Sequence, residues 1–552
     1  MKKLFMTLSL ALICAVAFAV PAKRGQWKTV KLVDGTEVRA ELRGDEFCHY
    51  WQAEDGRKFV INDKTKLAEP ADIDAMIERA GKMRANATAA RLKRSPMSRV
   101  TVGEEHAPYE GEKKGLIILV EFADVAFTEG DSLGFYRRMV NEEGFSEGKF
   151  RGSLKDYFKD QSYGKFSIDF DVVGPVKVDK SYKYYGANNF FGYEDMDKVV
   201  EMVVDACEAV DSLVDFSDYD WDGDSIVDQV FIIYAGYGEA DYDDPNTIWP
   251  HQYNISYIID KPSFDGVYVD TYACGSELNG SGNTCGIGTI CHEFSHCLGL
   301  PDLYDTTYAY NNYGMGYWSL MDAGNYNGDG YLPAGYTSYE RWYAGWIEPI
   351  ELANDTTVAE MGPLDSTGDA YIIYNDGHPD EYYLLENRQL EGWDAALPGS
   401  GMLILHVDFN ASVWANNLVN STRTQRCTIF HADNMSGWSA SDLAGDTYPC
   451  NGNDSLTNTS KPSAKLHHSN TDGSKFMNKS VTAITQNEDG TMSFEFAKNA
   501  DEGGETGINV VNAGAHGSAD RRIYSLDGRY VGTDWRALKK GVYVINGKKV
   551  VK

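Results

Sequence analysis

The chain has 552 residues, too many for one ordinary core, so three or four structural units are expected. Its 51 Lys and Arg are outnumbered by 82 Asp and Glu, a formal charge of −31, which argues against nucleic acid and anionic membrane surfaces as partners. The same excess of carboxylates leaves room for clustered acids that bind cations.

The first residues carry an export pattern. A basic "MKK" precedes the apolar run "LFMTLSLALICAVAFAV", with small residues at Ala17 and Ala19, so residues 1–19 are read as a signal peptide cut after Ala19. The run is short for a membrane span. Cys14 lacks the preceding small residue of a lipoprotein signal, and no later segment is long and apolar enough to cross a bilayer. The expected location is outside the cell or on its surface. Of the 9 cysteines, all but Cys14 survive the cut, and an exported chain permits disulfides. Cys274 and Cys285 are near enough to close a small loop, and the pairing stays open.

Residues 20–105 read as a small β/α unit placed where a pro-segment would be. "TVKLVDGTEVRAELRGDEFCHYWQAEDGRKFVIN" alternates apolar and polar residues between Asp-Gly turns, "ADIDAMIERAGKMRANATAARLKR" is helical in pattern, and a linker follows. Residues 106–350 read as an α+β unit. "GLIILVEF" and "DQVFIIYAGYG" are buried strands, "LKDYFKDQSYGKFSIDF" is a helix followed by Gly164 and a strand, and "YEDMDKVVEMVVDACEAV" is a helix. Residues 351–498 are short strands parted by Gly, Asn and Asp turns, an all-β, sandwich-like domain. Residues 499–552 are a flexible linker and a small set of hairpins.

The chemistry is concentrated in "CHEFSHCLGLPDLYD", residues 291–305. His292 and His296 share one face of a helix and can hold one ion, and zinc accepts such nitrogens. Glu293 stands beside them, placed to take a proton from water held by the ion and to pass it to a leaving nitrogen. Gly299 allows the sharp turn that ends the helix, Pro301 stops it resuming, and Asp302 can swing back as the third ligand. Downstream, Met321 in "GYWSLMDAGNY" is the candidate methionine floor beneath the ligands. Core filling is the plainer reading of that residue alone.

A second pattern, "DYDWDGDSIVD", places Asp220, Asp222, Asp224 and Asp228 around Gly223. With the Ile226 carbonyl they form a candidate calcium loop, EF-hand-like but without a closing bidentate acid. "NYNGDGY", with Asn325, Asn327 and Asp329, is a weaker candidate better explained as a turn.

"HEFSHCLGLPDLYD" and "WSLMD", together with "DYDWDGDSIVDQVFIIYAG", "IWPHQYNI" and "LLENRQLEGWDAALPGSGMLILHVD", resemble the immune-inhibitor-A type of secreted metallopeptidase. The resemblance implies an endopeptidase acting on proteins or peptides, with one catalytic zinc on His292, His296 and Asp302 and Glu293 as base. It also implies a zincin-like catalytic domain, a β-rich domain after it, and a pro-segment that inhibits before processing. Arg94 is a candidate processing point, and Cys48 and Asp45 are candidate blocking ligands. Ala323 stands where better-known metzincins carry a tyrosine, so Tyr326 and His251 are candidates for oxyanion help. "GVYVINGKKVVK" resembles the C-terminal sorting modules of exported Bacteroidetes-type proteins. The competing function is a surface adhesin or carbohydrate-binding protein on an inactive zincin scaffold, using aromatics such as Trp393, Trp414 and Trp438.

Overall fold

The computed structural model describes residues 18–62, 65–85, 109–189, 194–308 and 310–498, with short stretches between 523 and 551. The basic cluster around Arg94 and most of the linker before residue 109 lie outside the described residues. Among these residues no helix is long and apolar enough to cross a membrane.

The centre is a six-stranded mixed sheet. Its strands lie in the order Phe18–Ala19, His251–Asn254, Thr271–Leu278, Val230–Tyr237, Gly111–Glu121 and Phe166–Lys177. The last four run parallel, while His251–Asn254 and Phe18–Ala19 are each antiparallel to their inner neighbour. The strands Gly111–Glu121 and Val230–Tyr237 carry near-continuous apolar runs because helices cover both faces of the sheet. On one face lies helix Met196–Val210, whose Met196, Val199, Val200 and Val203 repeat at helical spacing toward the sheet. On the other lie helix Leu154–Gln161, closed by a Ser153–Asp156 capping box, and helix Gly288–Cys297.

The N-terminal unit is a five-stranded antiparallel sheet running in chain order from Trp27–Lys31 to Ala68–Pro70, followed by helix Ile73–Ala85. The β-rich part holds two sheets. The first comprises Ile350–Glu351, Ala370–Tyr374, Glu381–Arg388, Gly401–Asp408 and Cys427–Ile429. It is buried on both faces. Tyr371, Ile373, Leu385, Met402 and Ile404 pack against the second sheet, while Ile372, Leu384, Leu403, Leu405 and Val407 join the same core as the helix Gly288–Cys297. The core therefore runs unbroken across residue 350, although the composition changes there. Arg388 fixes the junction. Fully buried, it reaches Glu386 at 2.9 Å and both carboxylate oxygens of Asp394 at 2.7 Å, and it donates to the carbonyls of Trp318 and Gly335. The second sheet takes in the tail, because Lys548–Val551 runs parallel to Thr356–Met361.

All eight described cysteines are free. Cys274 and Cys285 do not close a loop: the first lies in the core beside His251, the second beside Ser276. Here cysteine serves as a small buried side chain.

Candidate active site

Helix Gly288–Cys297 presents His292 and His296 on one face, four residues apart. The helix starts pressed against the turn at 323–330, where a Cβ at Gly288 would stand 1.9 Å from the Asn325 carbonyl, so only glycine fits. It ends at Gly299, whose φ of +94° turns the chain back. Tyr343 holds that turn by donating to the Gly299 carbonyl at 2.9 Å. The return brings Asp302 Oδ1 to 3.2 Å from His292 Nε2 and 3.3 Å from His296 Nε2. All three side chains are buried.

This arrangement fits a cation. The other ring nitrogens, His292 Nδ1 and His296 Nδ1, lie 2.7 and 2.8 Å from the carbonyls of Leu320 and Leu300, which can only accept. Both imidazoles must therefore carry their proton on Nδ1. In the neutral rings, two Nε2 lone pairs then face a carboxylate inside the protein. Ligand atoms around a tetrahedral zinc stand about 3.3 Å apart, which is the spacing found. Burial alone would push the Asp302 carboxyl up; positive charge on this side, here that of the two histidines when protonated, holds it well below the usual range.

Met321 lies directly after the carbonyl that orients His292. It is fully buried, and its own carbonyl accepts from the Leu303 amide at 2.8 Å. The segment thus ties Met321, the candidate floor, to the loop that carries Asp302.

Glu293 is buried, and its carboxyl is pushed well up by burial and by the Asp302 and Glu46 carboxylates, a rise opposed by the Val20 amide. That amide donates to Glu293 Oε1 at 2.8 Å. Among the described residues nothing hydrogen-bonds Glu293 Oε2.

The contact with Val20 belongs to a larger feature. Phe18–Ala19 adds to the sheet edge as a short strand, with Ala19 opposite His251 and Phe18 opposite Gln252, and residues 20–22 continue past Glu293. Tyr304 donates to the Ala19 carbonyl at 2.7 Å, Trp249 Nε1 to the Val20 carbonyl at 2.9 Å and Tyr326 to the Pro21 carbonyl at 2.8 Å. Further along, Lys23 pairs with Asp241 and Asp329, and the Arg24 guanidinium lies 3.6 Å above the Trp438 ring.

Two residues invisible to spacing arguments complete the site. Tyr304, not His251, meets the carbonyl that precedes the nitrogen on Glu293. His251 is committed to the Trp249 carbonyl and the Tyr272 hydroxyl, and burial lowers its pKa to about 4. Asn417, from the β-rich part, holds the third ligand, its Nδ2 donating to Asp302 Oδ2 at 2.6 Å and its Oδ1 accepting the Asp302 amide at 2.8 Å. Partners that orient a ligand commonly contribute 10–100-fold to metal affinity. Asn417→Ala is therefore expected to weaken zinc binding by about 10–100-fold, measured by competition with a chromogenic chelator. Unchanged affinity would reduce Asn417 to a loop anchor.

Cys48 and Asp45 do not join the ligand group: among the described residues, His292, His296 and Asp302 stand together without them. Asp45 Oδ1 instead accepts the amides of Phe47 and Cys48. In the acidic loop the carboxylates of Asp220, Asp222 and Asp228 converge. Asp224 lies outside that group and turns to the Ile226 amide at 2.9 Å. In the second loop Asp329 is paired with Lys23 and Lys149, as suits a turn.

Helices over a mixed sheet, two histidines and an aspartate around one point, and a buried glutamate beside a peptide strand define a metallopeptidase domain. Comparison with known proteins points to its kind: residues 105–346 match the family model described as immune inhibitor A peptidase M6, catalytic domain. Among relatives, "Immune inhibitor A" of Bacillus thuringiensis subsp. alesti is 28% identical over 254 residues, covering 39% of this chain and 36% of the relative. "Pre-pro-metalloprotease PrtV" of Vibrio cholerae serotype O1 (strain M66-2) is 26% identical over 215 residues, covering 35% of this chain and 23% of the relative. The chain thus spans about a third or less of the length of these relatives.

Proposed function

We propose that the chain is an exported, zinc-dependent endopeptidase, made as a zymogen whose own N-terminal segment fills the cleft. The observation that carries this reading is the Ala19–Val20 peptide group. It runs antiparallel to the edge strand with its carbonyl on Tyr304 and its nitrogen on Glu293, as a substrate's scissile bond would.

His292, His296 and Asp302 would hold the zinc. When bound, the ion supplies Lewis acidity, lowering the pKa of water and polarising the substrate carbonyl. The rest is done by side chains. The strand His251–Asn254 binds substrate by adding it as an antiparallel edge. Glu293 Oε2, which has no hydrogen-bond partner among the described residues, would remove a proton from the attacking water, and Oε1 stands where the leaving nitrogen receives one. Tyr304 donates to the carbonyl as negative charge develops on it. If the signal peptide is cut after Ala19, the new α-amino group of Val20 stays against Glu293 and occupies the base. This supports residues 20–105 as the inhibitory pro-segment.

The test is hydrolysis of casein or gelatin by the processed chain. Activity is expected to vanish with a zinc chelator and return with added zinc, and chelator-resistant hydrolysis would sink the proposal. Trp393 and Trp414 are buried and bonded to Asp160 and Tyr339, and Trp438 is sandwiched between Tyr313 and Arg24, so these aromatics offer little to the adhesin alternative.

Asp220, Asp222 and Asp228 are further proposed to bind calcium that stiffens the loop ahead of strand Val230–Tyr237. About 1 mM calcium should raise the melting temperature of the wild type but not of Asp220→Asn/Asp228→Asn. Equal responses would remove the site.

A further inference from the structure

Four of the 11 histidines gather at one end of the first β-rich sheet, away from the zinc ligands in sequence. His378 sits in the turn before strand Glu381–Arg388, His406 and Asp408 end strand Gly401–Asp408, and His467 and His468 come from the loop "KLHHSN". His406 and Asp408 alternate with Leu405 and Val407, so they lie on the sheet face turned from the catalytic core.

Glu381 builds the base of this cluster. Its Oε1 accepts His406 Nε2 at 2.8 Å and the His467 amide at 2.5 Å, and its Oε2 accepts the His468 amide and Asn375 Nδ2, each at 3.0 Å. All of this fixes the loop backbone and leaves the His467 and His468 rings projecting from it. Asp408 has a side chain only 1% exposed. Its Oδ2 takes Arg426 at 3.0 Å and His467 Nδ1 at 3.1 Å, while its Oδ1 faces His468 Nε2 at 3.1 Å. His378 stacks on His468 with ring centroids 3.9 Å apart, and among the described residues nothing hydrogen-bonds the His378 ring. One ligand atom from each of His378, Asp408 and His468 lies within 4.8 Å of the others.

The donor set repeats that of the catalytic centre, with two imidazoles and one aspartate oxygen. The His468–Asp408 spacing of 3.1 Å is close to the 3.2 and 3.3 Å found there, and the His378 ligand atom lies within 4.8 Å of both. Without a cation, a neutral His468 can donate from Nε2 to Asp408 Oδ1 while the His378 ring stacked on it has no hydrogen-bond partner among the described residues; one ion between them would engage both rings and the carboxylate. Nitrogen donors suit zinc-like ions and disfavour calcium or magnesium.

We propose that His378, Asp408 and His468 form a second metal site, for a divalent transition metal of the zinc class. The ion ties the loop at 465–470 to the sheet and keeps an open position on the solvent side, where the two imidazoles are half-buried.

The test is metal content of the full, untagged chain by plasma mass spectrometry after dialysis against zinc. The wild type should hold two equivalents, His292→Ala/His296→Ala one and His378→Ala/His468→Ala one. Cobalt loading of His292→Ala/His296→Ala should give visible d–d absorption that His378→Phe, which keeps the ring packing, abolishes. A wild type holding one equivalent, with none left in His292→Ala/His296→Ala, would overturn the site. So would absorption that survives in the His378→Phe background. Loss of the second equivalent with casein hydrolysis intact would separate this site from the catalytic one.

Discussion

Glu293→Gln is expected to lower peptide hydrolysis by on the order of 10²–10⁴-fold while leaving the zinc content unchanged. Glutamine keeps the size and can still accept the amide that Oε1 now accepts at 2.8 Å. It cannot take a proton, and the unpartnered Oε2 loses its charge. Burial and two neighbouring carboxylates already push this carboxyl well up, which suits a group that must both receive and return a proton. The measurement is kcat on a quenched peptide with metal analysis of the same sample, both proteins first freed of the pro-segment. Wild-type turnover in Glu293→Gln would take the carboxylate out of the mechanism, and loss of zinc would recast it as a structural support.

The second large effect concerns residues 20–24, which a cut after Ala19 leaves against the site. A tethered segment acts at an effective concentration near 1 mM. If it binds its cleft with an affinity of about 10 μM, about 1% of molecules are open, and its removal should raise activity about 100-fold. Its anchors are specific: Lys23 on Asp241 and Asp329, and Arg24 on Trp438. Lys23→Ala/Arg24→Ala in the unprocessed chain should therefore show partial activity, rising several-fold over the parent, since exposed ion pairs contribute little singly and these are only half-buried. Equal activity before and after removal of residues 20–105 would end the zymogen reading.

How much of this was legible follows from range. His292, Glu293, His296, Gly299 and Asp302 lie within eleven positions of one another, and helix periodicity plus one forced turn place them. Strands such as Val230–Tyr237 and Gly401–Asp408 read directly from their apolar runs. What spacing hides is contact between distant segments. Asn417 reaches Asp302 across 115 positions and Val20 reaches Glu293 across 273, and nothing local marks either. Tyr304 stood inside the quoted motif, yet only the strand in the cleft gives its hydroxyl a role. The acidic loop was half legible, because Asp224 serves its own turn rather than the converging group. The eight described cysteines, all free, show that an even count permits disulfides without requiring them.

The Asp302–Asn417 pair also bears on how the protein comes into being. A chain built from its N terminus finishes both imidazoles and the aspartate 115 residues before it reaches the amide that locks that aspartate in place. By then residues 20–24, near the start of the chain, have long been synthesised. The stopper is made before the blade is sharpened.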